Sequence, residues 1–168
     1  LWICTTVNLV GLRQAGRLQV VVTALKLLPL LLFGIVALWF VDAGNYVPFN
    51  PSGQSLPSVA NTTVILTMWA LCGLEVATVP AGSIRDPERT IPRATVLGTL
   101  LAGVATILAC TVVIGLVPTE ILKDSGAPMA EAASRVWGPG AAIAIAALAA
   151  ISTFGAINGW MMVCGQVS

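Results

Sequence analysis

Four apolar runs, Val20–Val41, Val59–Gly82, Ala94–Val117 and Ala141–Val163, fill most of this 168-residue chain. Each is long enough to cross a bilayer as a helix, which takes about 20 apolar residues. Inside lipid, every backbone N–H and C=O must find its partner within the segment or its bundle, and a helix does so by itself. The sequence therefore predicts an all-α membrane protein.

Composition agrees and narrows the function. The chain is 57% hydrophobic and 9% charged, with a mean hydropathy of +0.94. Soluble domains run near 45–50% apolar and about 25% charged. A net charge of +1 offers no basic surface to a nucleic acid. There is no His, and one carboxylate, Glu75, lies within the spans. Neither a catalytic set nor a metal centre at membrane depth can be built from that, so an intramembrane enzyme drops out and no cofactor is expected. Cys4, Cys72, Cys110 and Cys164 all sit in apolar segments without C-x-x-C spacing, which suits packing residues better than a zinc site or a disulfide framework. With no initiator Met or leader, and with Leu1–Val10 reading as the tail of a helix, the chain is expected to be a fragment of a larger protein.

The links set an orientation. Gly11–Gln19 carries Arg13 and Arg17, and Ser83–Arg93 carries Arg85, Arg89 and Arg93. These two links lie at the same end of a two-helix hairpin. The longer links Asp42–Pro57 and Pro118–Gly140 hold only Lys123 and Arg135. Positive-inside counting puts the Arg-rich links in the cytoplasm, so the first span runs outward. Gly, Pro, Asn and Ser make Asp42–Pro57 an external loop. A short interfacial helix is expected near Met129–Val136, with Trp137 as an anchor. The Asn61-Thr62-Thr63 triplet sits at the mouth of a span and reads as a chance glycosylation match. Ala142, Ala146, Ala150, Gly155 and Gly159 give the last span a small-residue face for close helix packing, which also permits sliding or rocking.

Residues that break the apolar pattern are the candidates for function. A charged carboxylate at membrane depth costs at least about 2.5–3.5 kcal/mol, which makes Glu75 a pointer to a polar cavity or pathway. Gly73, beside it, permits the helix to unwind, and unwound backbone at that depth must be buried in protein or line a watery cavity. The carbonyls and N–H groups freed there would hold the ends of a zwitterionic or charged molecule. Trp69 would stack on it or attract a cation, and Glu75 is placed to act as a proton-linked switch. The plainer reading is a glycine packing site with a hydrogen-bonded glutamate. Lys26 either snorkels back to the cytoplasmic interface or turns inward, where its ammonium occupies a cation site, with Pro29 kinking the helix about one turn further out. Trp160 lies too deep for an interfacial anchor, and Asn158 at similar depth needs a partner helix or a cavity. Arg85-Asp86-Pro87-Glu88-Arg89 reads as a solvated link, which does not explain the framing prolines Pro87 and Pro92.

At Trp69-x-x-x-Gly73-x-Glu75, followed by Asp86-Pro87-Glu88-Arg89-Thr90-Ile91-Pro92-Arg93, the chain resembles the amino acid–polyamine–organocation transporters, especially the bacterial arginine/agmatine antiporter group. The resemblance covers the whole fragment, from about the end of the family's fourth helix to its eighth. It implies a leucine-transporter-like fold of two inverted repeats with a midplane site, and a discontinuous helix in Val59–Gly82. It further implies that Trp69 is an aromatic gate, that backbone at Cys72 and Gly73 binds the substrate amino group, that Glu75 links gating to pH, and that Trp160 lines the side-chain pocket. Lys26 departs from the antiporter and is similar to the fifth-helix lysine of proton-coupled amino acid transporters, where an ammonium stands in for a sodium ion.

Two functions follow as expectations. The leading one is proton-coupled amino acid uptake by alternating access, with Lys26 and Glu75 as coupling residues; the alternative is amino acid/amine exchange of the arginine/agmatine type. A channel would need an open, polar pore, and the bulky apolar lining argues for occlusion instead. The expected setting is the bacterial inner membrane. Expected partners are an amino acid or amine, protons, lipid and the rest of the same transporter, with room for a homodimer.

Overall fold

The computed structural model describes residues 2, 5–6, 12–50, 52–68, 82 and 84–167. Among these residues the chain is built of helices and loops. They are α1 (Leu12–Ala37), α2 (Leu56–Met68), α3 (Pro87–Leu116), the short α4 (Thr119–Asp124), α5 (Pro128–Trp137) and α6 (Pro139–Val167). Three stretches are long and apolar enough to cross a membrane: Gln14–Phe40, Pro87–Leu116 and Pro139–Gly165. The protein is an all-α membrane protein.

The helices overrun the apolar runs that foretold them. Helix α1 begins at Leu12 rather than Val20, taking in most of the Arg13/Arg17 link. Helix α3 begins at Pro87 rather than Ala94. Hydropathy marks the stretch in hydrocarbon, whereas the hydrogen-bonded ladder runs on into polar sequence. The prolines of the Arg-rich link now have a reason. Asp86 adopts the left-handed conformation (φ 50°), and Pro87 opens the helix, where its missing N–H costs nothing. The Asp86 carbonyl accepts from the N–H groups of Arg89 and Thr90 at 3.1 and 2.9 Å. The Thr90 hydroxyl donates to the Arg85 carbonyl at 2.9 Å, tying the turn to the helix.

The body of the fold is α1 against α3 and α6, with α5 laid across α3 and α6. Its core joins Phe33 and Ala37 of α1, Val112, Val113 and Leu116 of α3, and Ala132 and Ala133 of α5. The Phe33 and Trp137 rings meet edge to face, centroids 5.6 Å apart, so Trp137 packs on a core aromatic. The start of the external loop is fixed on the end of α3. Asp42 N–H and Asn45 Nδ2 both donate to the Gly115 carbonyl, at 3.0 and 2.8 Å, and the Tyr46 hydroxyl donates to the Thr111 carbonyl at 2.8 Å. The two bonds to Gly115 satisfy a carbonyl that the helix end leaves without a partner. Helix α2 stands apart: every one of its residues except Val59 is exposed.

Glycines set the approach of α1 to α3. A β-carbon at Gly34 would lie 2.6 Å from both Cγ and Cδ2 of Leu108. Alanine favours a helix over glycine by roughly 0.5–1 kcal/mol, but overpacking costs about 1–3 kcal/mol. Overlap at a branch carbon leaves Leu108 little room to yield, so Gly34→Ala is expected to lower the melting temperature of the full-length protein in detergent. A rise would show that the two helices move apart freely.

Candidate functional site

Helix α1 presents one stripe to α6. Ala15, Gln19, Val22 and Lys26 recur at the three- and four-residue intervals that share a helix face. Helix α6 answers, running the opposite way, with Asn158 and Gly159, then Gly155, then Ser152.

The seam begins at a buried amide. Asn158 is 0% exposed, and its Nδ2 donates to the Gln19 side-chain oxygen at 3.1 Å and to the Ala15 carbonyl at 3.5 Å. This is the partner helix the sequence demanded for Asn158. Hydrogen bonds of this kind between membrane helices contribute about 0.6 kcal/mol on average, up to roughly 1.7. Next along the seam, a β-carbon at Gly155 would stand 3.3 Å from the Val22 β-carbon and overlap its Cγ1, and one at Gly159 would stand 3.4 Å from Gln19 Nε2. The absence of side chains at both positions lets the two backbones close.

Beyond Val22 the seam opens into a cavity of about 340 Å³ between α1, α3, α5 and α6. Lys26 lines it with Thr106, Ser152, Met129, Leu30 and Ala105. Lys26 is partly buried, and its side chain borders this cavity. Among the described residues that line it, Thr106 and Ser152 are the polar ones besides Lys26 and the rest are mainly aliphatic. Among the described residues the ion pairs are Lys123–Glu120 and Arg135–Glu131, both on the short helices, and neither reaches the cavity. An ammonium so placed can hold the carbonyl or carboxylate of an entering group, or stand where a cation would bind.

Trp160 lies on α6 two residues past Asn158, on a different face, and is 58% exposed. Its indole is therefore presented away from α1. Trp69, Cys72, Gly73 and Glu75 lie outside the described residues. Among the site residues that the structure describes, Lys26 and Trp160 sit on neighbouring helices but face separate surroundings. Gln19, Thr106 and Ser152 were not foreseen. The signal for Gln19 was its place in one stripe with Val22 and Lys26; Thr106 and Ser152 carry no signal in sequence, since hydroxyls within spans commonly bond their own helix.

Comparison with known proteins bears on this arrangement as a whole. The profile of the amino acid permease family matches residues 1–168. The chain is 35% identical over 166 residues to the cadaverine/lysine antiporter of Escherichia coli strain K12, a match covering 98% of this chain and 37% of that protein. It is 32% identical over 168 residues to the putrescine transporter PotE of the same strain, covering 99% of this chain and 38% of that protein. The PotE of Haemophilus influenzae is 30% identical, with 99% and 39% covered. The chain thus spans well under half the length of these relatives.

Proposed function

Because this chain belongs to the amino acid permease family, we propose that it forms part of a secondary transporter that exchanges an amino acid for an amine across the bacterial inner membrane. The observation that carries this reading is the similarity to a cadaverine/lysine antiporter along 98% of the chain. The relatives favour exchange over the proton-driven uptake that led the expectations from sequence. Proton coupling remains a second reading, favoured by the Lys26 ammonium in its largely apolar cavity.

In this reading the substrate site sits on the span that starts with α2. Glu75, the one acid in that span, attracts a cationic amine. Backbone at Cys72 and Gly73 holds its amino group, and Trp69 closes over it. Trp160 supplies a second aromatic face from α6, where it is 58% exposed. Substrate bound from one side is occluded and then released on the other as the helices rock, and the return step carries the counter-substrate.

Vesicles holding the full-length protein and loaded with cadaverine, putrescine or agmatine test the exchange. Labelled lysine or arginine is expected to enter loaded vesicles far faster than empty ones. Equal entry into empty vesicles under an imposed pH gradient would favour the proton-driven reading instead. Trp160→Ala is expected to weaken substrate binding by about 0.5–2 kcal/mol, the range of a cation–aromatic contact, or roughly two- to thirtyfold in Kd. Unaltered affinity by calorimetry would remove Trp160 from the site.

A further inference from the structure

We infer that the outward face of α3 is a binding surface for an anionic phospholipid, with Arg89 and Arg93 on its phosphate and the apolar stripe from Val96 to Ile107 along its acyl chains. The inference goes beyond the transport reading and needs only that α3 spans the bilayer. Helix α3 has two faces of opposite character. Ala105, Ala109, Val112 and Leu116 recur at three- and four-residue intervals and are buried, on the face that meets α1 and α5. Arg89, Arg93, Val96, Leu100, Val104 and Ile107 recur at the same intervals on another face, and every one is exposed. The stripe therefore carries two guanidinium groups at its start and nothing but hydrocarbon after them. Arg93 and Val104 are eleven residues apart, about 16 Å along the helix at 1.5 Å per residue. That matches one leaflet, half of a hydrocarbon core about 30 Å thick.

Charge selects the kind of lipid. A shallow hollow of about 440 Å³ is lined by Asp86, Arg89, Thr90, Arg93 and Ala94, at the end that the arginine count puts in the cytoplasm. Two guanidiniums against one carboxylate leave the hollow with one positive charge in surplus. Neither arginine joins an ion pair among the described residues. The Thr90 hydroxyl is committed to the Arg85 carbonyl, so the guanidiniums supply the donors. A phosphodiester carries the single negative charge that balances the surplus, and its oxygens suit the paired N–H groups of arginine. Phosphatidylglycerol brings that charge alone. A zwitterionic lipid brings an ammonium as well, which two arginines repel. Free phosphate would satisfy the arginines and leave the stripe uncovered, whereas a phospholipid answers both parts of the face at once.

Lipid titration tests this. Phosphatidylglycerol is added to the full-length protein in detergent and bound lipid is counted by native mass spectrometry, beside phosphatidylcholine as the zwitterionic comparison. The parent is expected to bind phosphatidylglycerol the more tightly. Arg89→Gln/Arg93→Gln is expected to raise the Kd of the tightest phosphatidylglycerol site about thirtyfold, roughly fivefold for each arginine beside an anionic headgroup. Arg135→Gln, on α5, is expected to leave it unchanged. A double variant that binds phosphatidylglycerol as the parent does overturns the inference, and so does a parent that does not distinguish the two lipids. A nitroxide on Leu100→Cys, in vesicles, reports separately what covers the stripe. Frequent collisions with dissolved oxygen and few with a water-soluble nickel complex are expected of a side chain that faces lipid. Protection from both would place another part of the transporter over this face, which overturns the lipid surface and leaves the exchange reading standing.

Discussion

If transport by the full-length protein is coupled to protons, Lys26→Ala is expected to abolish the proton-driven component while leaving substrate binding in place. Lys26 lines a cavity together with Thr106 and Ser152, and it is the one formal charge in α1 beyond Arg17. Truncation to alanine removes the ammonium from the cavity. Any proton coupling that runs through this position then stops. The substrate groups assigned to Trp69, Gly73 and Glu75 lie on another span, so binding is expected to persist. Lys26→Arg separates charge from proton transfer, because a guanidinium keeps its charge but does not release its proton. Exchange retained by the arginine variant without response to a pH gradient supports the coupling role. Uptake along a pH gradient that is unchanged in the alanine variant removes Lys26 from coupling altogether.

Phe33→Ala is expected to destabilise the protein by about 3–5 kcal/mol, the range for truncating a buried aromatic. Phe33 is 4% exposed and joins three helices: its own α1, α3 through Val112 and Val113, and α5 through Ala132 and Ala133. It also loses its edge-to-face contact with Trp137, worth about 0.5–1.5 kcal/mol beyond burial. The cavity left behind cannot collapse easily, since its neighbours are short side chains already in contact. The measurement is the melting temperature of the full-length protein in detergent, with Phe33→Leu as the milder comparison. Equal melting of the alanine variant and the parent would mean that α5 does not hold α1 to α3. The external cap of α3 at Asp42 and Asn45 would then be the stronger tie.

Val20–Val41, Ala94–Val117 and Ala141–Val163 overlap the three stretches long and apolar enough to cross a membrane, and they were legible because hydrocarbon imposes a length and a composition that few other structures share. Their ends were not, because Leu12–Val20 and Pro87–Arg93 are helical in spite of their charges. Setting Gln19 in a link hid its pairing with Asn158, although its spacing to Val22 and Lys26 puts all three on one face. Asn158 itself was readable as a buried amide in need of a partner, since polar groups at depth must be satisfied. Lys26 had two readings in sequence because its long stem reaches either the interface or the interior. The structure adds that α3 and α6 contribute to the cavity it lines. Trp137 looked like an interfacial anchor, and its contact with Phe33 depends on the fold of α5 over α1, which no local pattern encodes. The roles of Trp69, Cys72, Gly73 and Glu75 stand on the resemblance and the chemistry of their pattern.

Exchange has a direct signature in counting both substrates at once. Vesicles containing the full-length protein are loaded with one labelled amine, cadaverine, and bathed in lysine carrying a different label. If this chain belongs to an exchanger, lysine entry and cadaverine exit proceed at equal initial rates, and omitting either substrate stops the other. Lysine entering while the internal amine stays in place would contradict it.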